Sequence, residues 1–560
     1  MRAIMKTFVC IIIILTSFSH AQRTSRSEII ARNGMAATSH PLATQIAVDI
    51  LKKGGSAVDA AIAANAALGL IEPMSCGIGG DLFALVWDSQ TNKLYGLNAS
   101  GRSPASLELD YFRRHNLEKI PLRGGLSVSV PGCVDGWFEL HHKFGRLPMK
   151  EILAPVIDYA QEGVATPEII AGYWAGGVRS FADVPNFIKT YTINGKSPLK
   201  GQLFNNPDLA RTYQQIADHG RDAFYQGKMA EKISQCVRNQ GGFLSTDDLA
   251  RHQSEWVEPL SVRYRGYDVW ELPPNGQGIA VLQILQILEK FDLASLRFGS
   301  ARHIHCLIEA FKLVFEDRAV YYADPESNDV PVQKLLSPEY ADARARLINL
   351  QQANLNVQAG KLSDSETVYL CTADKDGNMV SMIQSNYYNF GSGLVPDSLG
   401  FALQNRGALF SLNEGSANVY APRKRPFHTI IPGFVTQNNE PYLCFGVMGG
   451  DFQPQGQVQI LVNLIDFGMN LQQAGDAPRC AHEGSSSPRG EEMIPSGGLV
   501  GLEKGFPSSL AEELRSLGHT VKVGDNVMFF GGYQAIKYDR ENGVLIGASE
   551  VRKDGQAAGY

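Results

Sequence analysis

Residues 351 to 366 are the one interior stretch of this 560-residue chain that reads as an exposed, flexible connection: Gln351-Gln-Ala-Asn, then Ser363-Asp-Ser-Glu366. The hydrophobic period differs on its two sides, and that difference limits what the chain can become. Before it, Leu42, Ile46, Ile50 and Ala43, Ala47, Leu51 recur at helical spacing, as do Ile304, Ile308, Phe311 and Phe315. Met149 to Glu162, Pro207 to Asp218 and Lys228 to Asn239 also follow the helical period. Gly54-Gly55 stops the first helix, and Ser56 with Asp59 forms a capping-box signal for an Ala-rich helix through Ala67. Strand-like runs follow at Leu82 to Trp87 and Leu94 to Leu97. Residues 22 to 38 read as a polar lead-in.

After the connection, Thr367 to Ala373 and Met379 to Gln384 flank Asp374-Lys-Asp-Gly-Asn378, a strong hairpin turn. Tyr442 to Val447, Asn526 to Phe530 and Ala535 to Lys537 are further strand-like runs, and Gln455 to Phe467 reads as a helix. There is no internal repeat. Sheets with helices on their outer faces is the simplest architecture for this order.

Apolar content of 44% with 19% charged residues allows a large core. A net charge of −6 without a basic stripe argues against a nucleic-acid partner. The basic run Pro422-Arg-Lys-Arg-Pro426 reads either as a solvated loop or as one facing an anion. Arg2 and Lys6, the apolar run Phe8 to Leu15 and Ser19-His20-Ala21 form an export signal over residues 1–21, with secretion or a periplasmic location expected and an uncleaved anchor as the alternative. Seven dispersed cysteines lie outside it with no CxxC pair, so neither a disulfide framework nor a zinc ribbon is indicated.

Gly54-Gly-Ser-Ala-Val-Asp-Ala-Ala61, Ile71-Glu-Pro73, Gly77-Ile-Gly-Gly80, Val130-Pro-Gly132, Phe144-Gly-Arg-Leu-Pro148 and Leu153-Ala-Pro155 together resemble the γ-glutamyltransferase (glutathione hydrolase) family. Glu309-Ala-Phe-Lys-Leu313, Glu316-Asp-Arg-Ala319 and Ala557-Ala-Gly-Tyr560 extend the similarity over nearly the whole mature chain. The resemblance implies the N-terminal-nucleophile hydrolase fold, a four-layer αββα sandwich. It also implies self-cleavage between Glu366 and Thr367 into interleaved fragments of 22–366 and 367–560 that form one domain. The implied partners are a small amide substrate, water or an amine acceptor, and the two fragments themselves. No organic cofactor and no metal are implied, and oligomeric state is left open.

Thr367 matches the family's nucleophile. A threonine hydroxyl attacks poorly unless a base takes its proton. A cut before Thr367 would put an α-amine, with a pKa of about 7.7–8, on the same residue. Gly449 and Gly450 match the pair whose N–H groups hold the tetrahedral oxyanion. Ser385 matches a hydroxyl that orients the nucleophile, and Arg102 an arginine that pairs with the substrate carboxylate.

Other substrate-binding positions depart from the family. Tyr387 stands where Asn is usual, Arg406 where Gln is usual, Leu409 where an Asp binds the substrate amine, and His428-Thr429 replaces Ser-Ser. The stretch from Leu409 to His428 leaves little room for a lid. Leucine cannot accept a hydrogen bond, while Arg406 adds a positive charge. A γ-glutamyl-type acyl donor is therefore the first expectation, a small anionic amide such as oxamate the second, and an unprocessed binding protein the third. His303 and His305 form an HxH pair, but residues two apart point to different faces of a helix. Gly77 to Gly80 follows a helix and precedes a strand, the reverse of a phosphate loop. There is no Gly-x-Ser-x-Gly elbow.

Overall fold

The computed structural model describes residues 26–355, 366–494, 496–524 and 530–560. The expected export signal, most of the polar connection and all but Phe530 of the run Asn526 to Phe530 lie outside the described residues.

Two seven-stranded antiparallel sheets dominate. One runs in the order β1 (Ile29–Ala31), β18 (Val544–Ser549), β17 (Gly532–Asp539), β13 (Glu440–Met448), β12 (Gly433–Gln437), β9 (Tyr267–Glu271), β8 (Leu260–Tyr264). The other runs β19 (Gln556–Gly559), β2 (Met35–Thr38), β10 (Glu366–Ala373), β11 (Met379–Tyr387), β3 (Asp81–Asp88), β4 (Lys93–Ala99), β7 (Glu255–Val257). A small sheet of β14 (Cys480–Glu483), β15 (Leu499–Leu502) and β16 (Thr520–Val523) and the pair β5 (Val164–Ala165) and β6 (Leu203–Phe204) sit outside them.

Side-chain alternation along the strands builds the layers. On β10, Val368 and Leu370 face the helices Pro41–Lys52, Ala57–Ile71 and Met149–Glu162, while Tyr369 and Cys371 face the other sheet. On β13, Cys444 and Met448 face inward, whereas Leu443, Phe445 and Val447 pack on the helices Gly278–Leu288, Ala301–Tyr321 and Gln453–Ile465. Phe83, Trp87, Tyr369, Phe434 and Ile536 fill the space between the sheets. This is the expected αββα sandwich.

Local signals account for most elements. The capping box is present: Ser56 Oγ accepts from Asp59 N at 3.1 Å, and Asp59 Oδ2 accepts from Ser56 N at 2.9 Å. The hairpin turn is tied to the same helix end, because Asp374 Oδ2 accepts from Ala57 N at 3.0 Å.

Two readings are corrected. The lead-in is not loop: Met35-Ala-Ala-Thr38 is a fully buried strand between β19 and β10, its small side chains chosen for close packing and not for β propensity. The basic run is not a solvated loop, since Lys424 and Arg425 are buried. Lys424 Nζ donates to Ala417 O and Val419 O, and Arg425 pairs with Glu255 and Glu326. Cys371 and Cys444 are buried free thiols. Among the described residues no helix is long and apolar enough to cross a membrane.

Ser56→Ala removes one half of the capping box. It is expected to lower stability by about 1 kcal/mol, read as a lower midpoint in chemical denaturation with an unchanged slope.

Candidate active site

Alternation on β10 puts Thr367 on the inter-sheet face with Tyr369 and Cys371. Its pairing with β11 is irregular here. Glu366 faces Tyr387 and Val368 faces Gln384, so Ser385 and Asn386 together oppose Thr367. A bulge of this kind re-aims a side chain. Thr367 Oγ1 donates to Ser385 Oγ at 3.3 Å, and Ser385 Oγ also accepts from Tyr387 N at 2.8 Å. Tyr387 sits at φ +78°, a conformation that L-residues rarely adopt and that marks constrained backbone. Thr367 is buried in the intact chain.

Asp81 is the cross-strand neighbour of Ser385. Its Oδ1 accepts from Gly101 N and Gln404 Nε2, both at 3.0 Å, and its Oδ2 lies 2.8 Å from His428 Nε2. Arg406 Nε lies 3.8 Å from the same oxygen. Burial pushes the Asp81 carboxyl up to about 7, outweighing the pull of Arg406. Burial and the Arg406 charge hold His428 well below its ordinary value, so the ring is neutral. Burial lowers Arg406 only to about 10, leaving it cationic at neutral pH. Arg406 Nη1 donates to Thr429 Oγ1 at 2.7 Å and the guanidinium stacks on the Tyr387 ring at 4.7 Å, while Nε and Nη2 have no hydrogen-bond partner. The structure thus gathers Thr367, Ser385, Tyr387, Arg406, His428 and Thr429 at one end of the inter-sheet space.

β13 ends there in Gly449 at φ +123° and Gly450 at φ +56°, both in the left-handed region that favours glycine. The backbone is braced from behind. Gln277 Nε2 donates to Gly450 O at 2.9 Å and to Thr429 O at 2.7 Å, and Arg318 Nη1 donates to Gln277 Oε1 at 2.6 Å and to Asp451 Oδ1 at 2.7 Å. Gly449 O in turn accepts from Phe452 N at 3.0 Å, which gives the peptide that carries the Gly450 N–H a set orientation. That is what donors aimed at a developing oxyanion require. The Gly77 to Gly80 run serves packing: a Cβ on Gly80 would collide with Ser385 O.

Arg102 is held among carboxylates of its own chain. Its guanidinium is held by Glu255 at 3.1 Å, Glu326 at 2.6 Å and Asp324 at 3.6 Å, beside a cavity of about 330 Å³ also lined by His252 and Arg423. Arg425 shares Glu255 and Glu326 with it. Leu409 is buried in the apolar core, where it offers no acceptor. Sequence reasoning missed Asp81, Gln277, Arg318 and Asp451. Asp81 directly follows the Gly-Ile-Gly-Gly run, Arg318 lies in Glu316-Asp-Arg-Ala319 and Asp451 follows Gly449-Gly450, so position beside a motif was the available signal. Gln277 carried none.

The family model for gamma-glutamyltranspeptidase matches residues 43–560. The glutathione hydrolase-like YwrD proenzyme of Bacillus subtilis (strain 168) is 38% identical over 95% of this chain and 99% of its own. The oxamate amidohydrolase proenzyme of Klebsiella pneumoniae is 34% identical over 95% of this chain and 100% of its own. Among solved structures, the cephalosporin acylase from Bacillus halodurans superposes with a TM-score of 0.88 at 42% identity, covering 97% of this chain and 98% of that one.

The raised Asp81 gives a pH test. Its folded value near 7 stands above the ordinary carboxylate value of about 4. The folded protein therefore binds this proton more tightly than the unfolded chain, and the stability this contributes is complete below about pH 4 and lost as pH rises through 7. Asp81→Asn is expected to lower Tm overall, because Arg406 loses its buried counter-charge. It should also flatten the decline in Tm between pH 5 and 8 measured by differential scanning fluorimetry. Glu316, likewise raised to about 7 by burial, keeps its own share of that slope.

Proposed function

The chain belongs to the γ-glutamyltranspeptidase family of N-terminal-nucleophile hydrolases, and from that premise we propose that it is an amidohydrolase made active by cutting itself before Thr367. One observation supports the reading above the rest: the Thr367 hydroxyl lies 3.3 Å from Ser385 Oγ at a bulge beside the left-handed Gly449-Gly450 turn. In maturation the Thr367 Oγ attacks the carbonyl carbon of Glu366, the Glu366–Thr367 C–N bond breaks and the nitrogen takes the proton. Water then hydrolyses the ester and leaves the α-amine free. In turnover that amine takes the hydroxyl proton as Oγ attacks the substrate amide. The Gly449 and Gly450 N–H groups hold the oxyanion, the Thr367 α-ammonium passes its proton to the substrate nitrogen as that C–N bond breaks, and water or a second amine then takes the acyl group from Thr367 Oγ. The amine base has a pKa of about 7.7–8, so the rate rises from pH 6 to 8 as it deprotonates.

A γ-glutamyl-type acyl group, as the name of the Bacillus subtilis relative suggests, is the first substrate class. Arg406 favours a second class, small anionic amides like that named for the Klebsiella relative. Its Nε and Nη2 have no hydrogen-bond partner, and Leu409 offers no acceptor for a substrate α-amine. Residues 1–21 act as the export signal in this reading.

Intact mass decides the cleavage. The parent is expected as two fragments split between Glu366 and Thr367, and Thr367→Ala as one chain; a parent that stays whole on prolonged incubation sinks the reading. Arg406→Gln is expected to raise KM for an oxamate-like amide about tenfold or more, the loss of one charge-assisted hydrogen bond, while KM for a γ-glutamyl anilide changes less. Equal shifts for both would remove Arg406 from substrate selection.

A further inference from the structure

The helix Ala301–Tyr321 reaches the site through Arg318, yet near its start it carries a second cluster that the proposed reaction does not use. His305, Glu309 and Lys312 are buried on this helix, and His519, just before β16, closes the group. One ligand-capable atom from each of His305, Glu309 and His519 lies within 4.8 Å of the others. His303 stays apart, its ring packed on Phe298 and Phe467.

We propose that His305 Nδ1, His519 Nε2 and a Glu309 carboxylate oxygen form a binding site for an imidazole-seeking divalent cation of the zinc class.

The hydrogen bonds prepare two of the three ligands. His305 Nε2 lies 2.8 Å from Asn349 O, a carbonyl that can only accept, so the ring proton sits on Nε2 and Nδ1 presents its lone pair. Metal-binding histidines are fixed in this way by a backbone carbonyl on the far nitrogen. Glu309 is oriented by Lys312 Nζ at 2.7 Å from Oε1 and by Asn354 N at 3.1 Å from Oε2. Each oxygen keeps a second lone pair.

His519 Nε2 lies 2.7 Å from His305 Nδ1, and with the His305 proton held on Nε2 by Asn349 O the donor in this pair is His519. On metal entry the Nε2 proton is released and Nδ1 takes one up, leaving a neutral ring that binds through Nε2 with no change in net charge. Zinc–nitrogen bonds of about 2.0–2.1 Å set the two nitrogens roughly 3.3 Å apart in a tetrahedral site. The rings therefore separate by about 0.6 Å, and a fourth position remains for water.

One carboxylate beside a lysine selects the ion. Calcium and magnesium need several oxygen donors, whereas zinc, copper and nickel accept imidazole. The segment 349–355 covers the cluster and exposes Asn349, which gives an ion a short path in. His305 and Glu309 precede the proposed cut and His519 follows it, so the ion would join the two fragments. That last consequence rests on the cleavage reading; the site itself does not.

The test uses full-length protein stripped with EDTA and titrated with Zn²⁺ alone. One equivalent is expected to survive desalting by elemental analysis, and Co²⁺ is expected to give the visible bands of a tetrahedral site. Thr367→Ala, a single chain, should bind the same equivalent, which separates this proposal from the cleavage. His519→Gln retains an amide donor for His305 and is expected to weaken zinc binding at least tenfold. Folded parent that takes up no stoichiometric zinc and no tetrahedral cobalt overturns the proposal, as does undiminished binding in His519→Gln. If that variant does not fold, the parent's stoichiometry and cobalt spectrum decide.

Discussion

A carboxylate buried away from water must be matched by donors and countercharge, and Asp81 meets that demand with four groups from three separate stretches of chain. Gly101 follows β4, Gln404 and Arg406 lie in the loop after the hairpin, and His428 precedes β12. Satisfying Asp81 therefore fixes where these segments cross. Ser385 is held as its cross-strand neighbour, Thr429 is held by Arg406, and Gln277 carries the brace onward to Gly450. Thr367 and the glycine turn come from different sheets, and this polar chain links the segments around them.

Arg318 repeats the logic on the far side. It is fully buried against Asp451 and Gln277, and the desolvation cost of such a group is offset here by a position it holds. That position is the carbonyl side of the Gly449-Gly450 turn. The helix bearing Arg318 also bears His305 and Glu309, so a single rod touches both the candidate site and the cluster beneath segment 349–355.

The elements legible in the sequence were those with local causes. The capping box at Ser56 and Asp59, the turn at Asp374 to Asn378 and the amphipathic run 149–162 are each complete within a few residues, and each stands where its pattern put it. Thr367 with Ser385 was legible through family likeness, since a strand threonine alone says nothing. What was not legible depends on long-range partners. Met35-Ala-Ala-Thr38 lacks β-branched bulk and becomes a strand only because β10 and β19 flank it. The basic run at 422–426 looks solvated until Glu255 and Glu326 arrive from more than 90 residues away in sequence. The same two glutamates, with Asp324, also hold Arg102, and no local pattern announces that network either.

The strand order has a consequence of its own. In one sheet β2, β3, β4 and β7, all before residue 366, alternate in blocks with β19, β10 and β11, all after it; in the other, β1, β8 and β9 flank four later strands. Breaking the chain between them would change its connectivity without freeing either piece, because each is hydrogen-bonded into both sheets. The loss would appear only on unfolding. Once apart, the pieces would have to find each other again in a second-order encounter, after the covalent tether that first kept them at high effective concentration was gone. A matured molecule of this design would be assembled once, from one chain, and its lifetime would be set by how slowly it opens, not by how well it refolds.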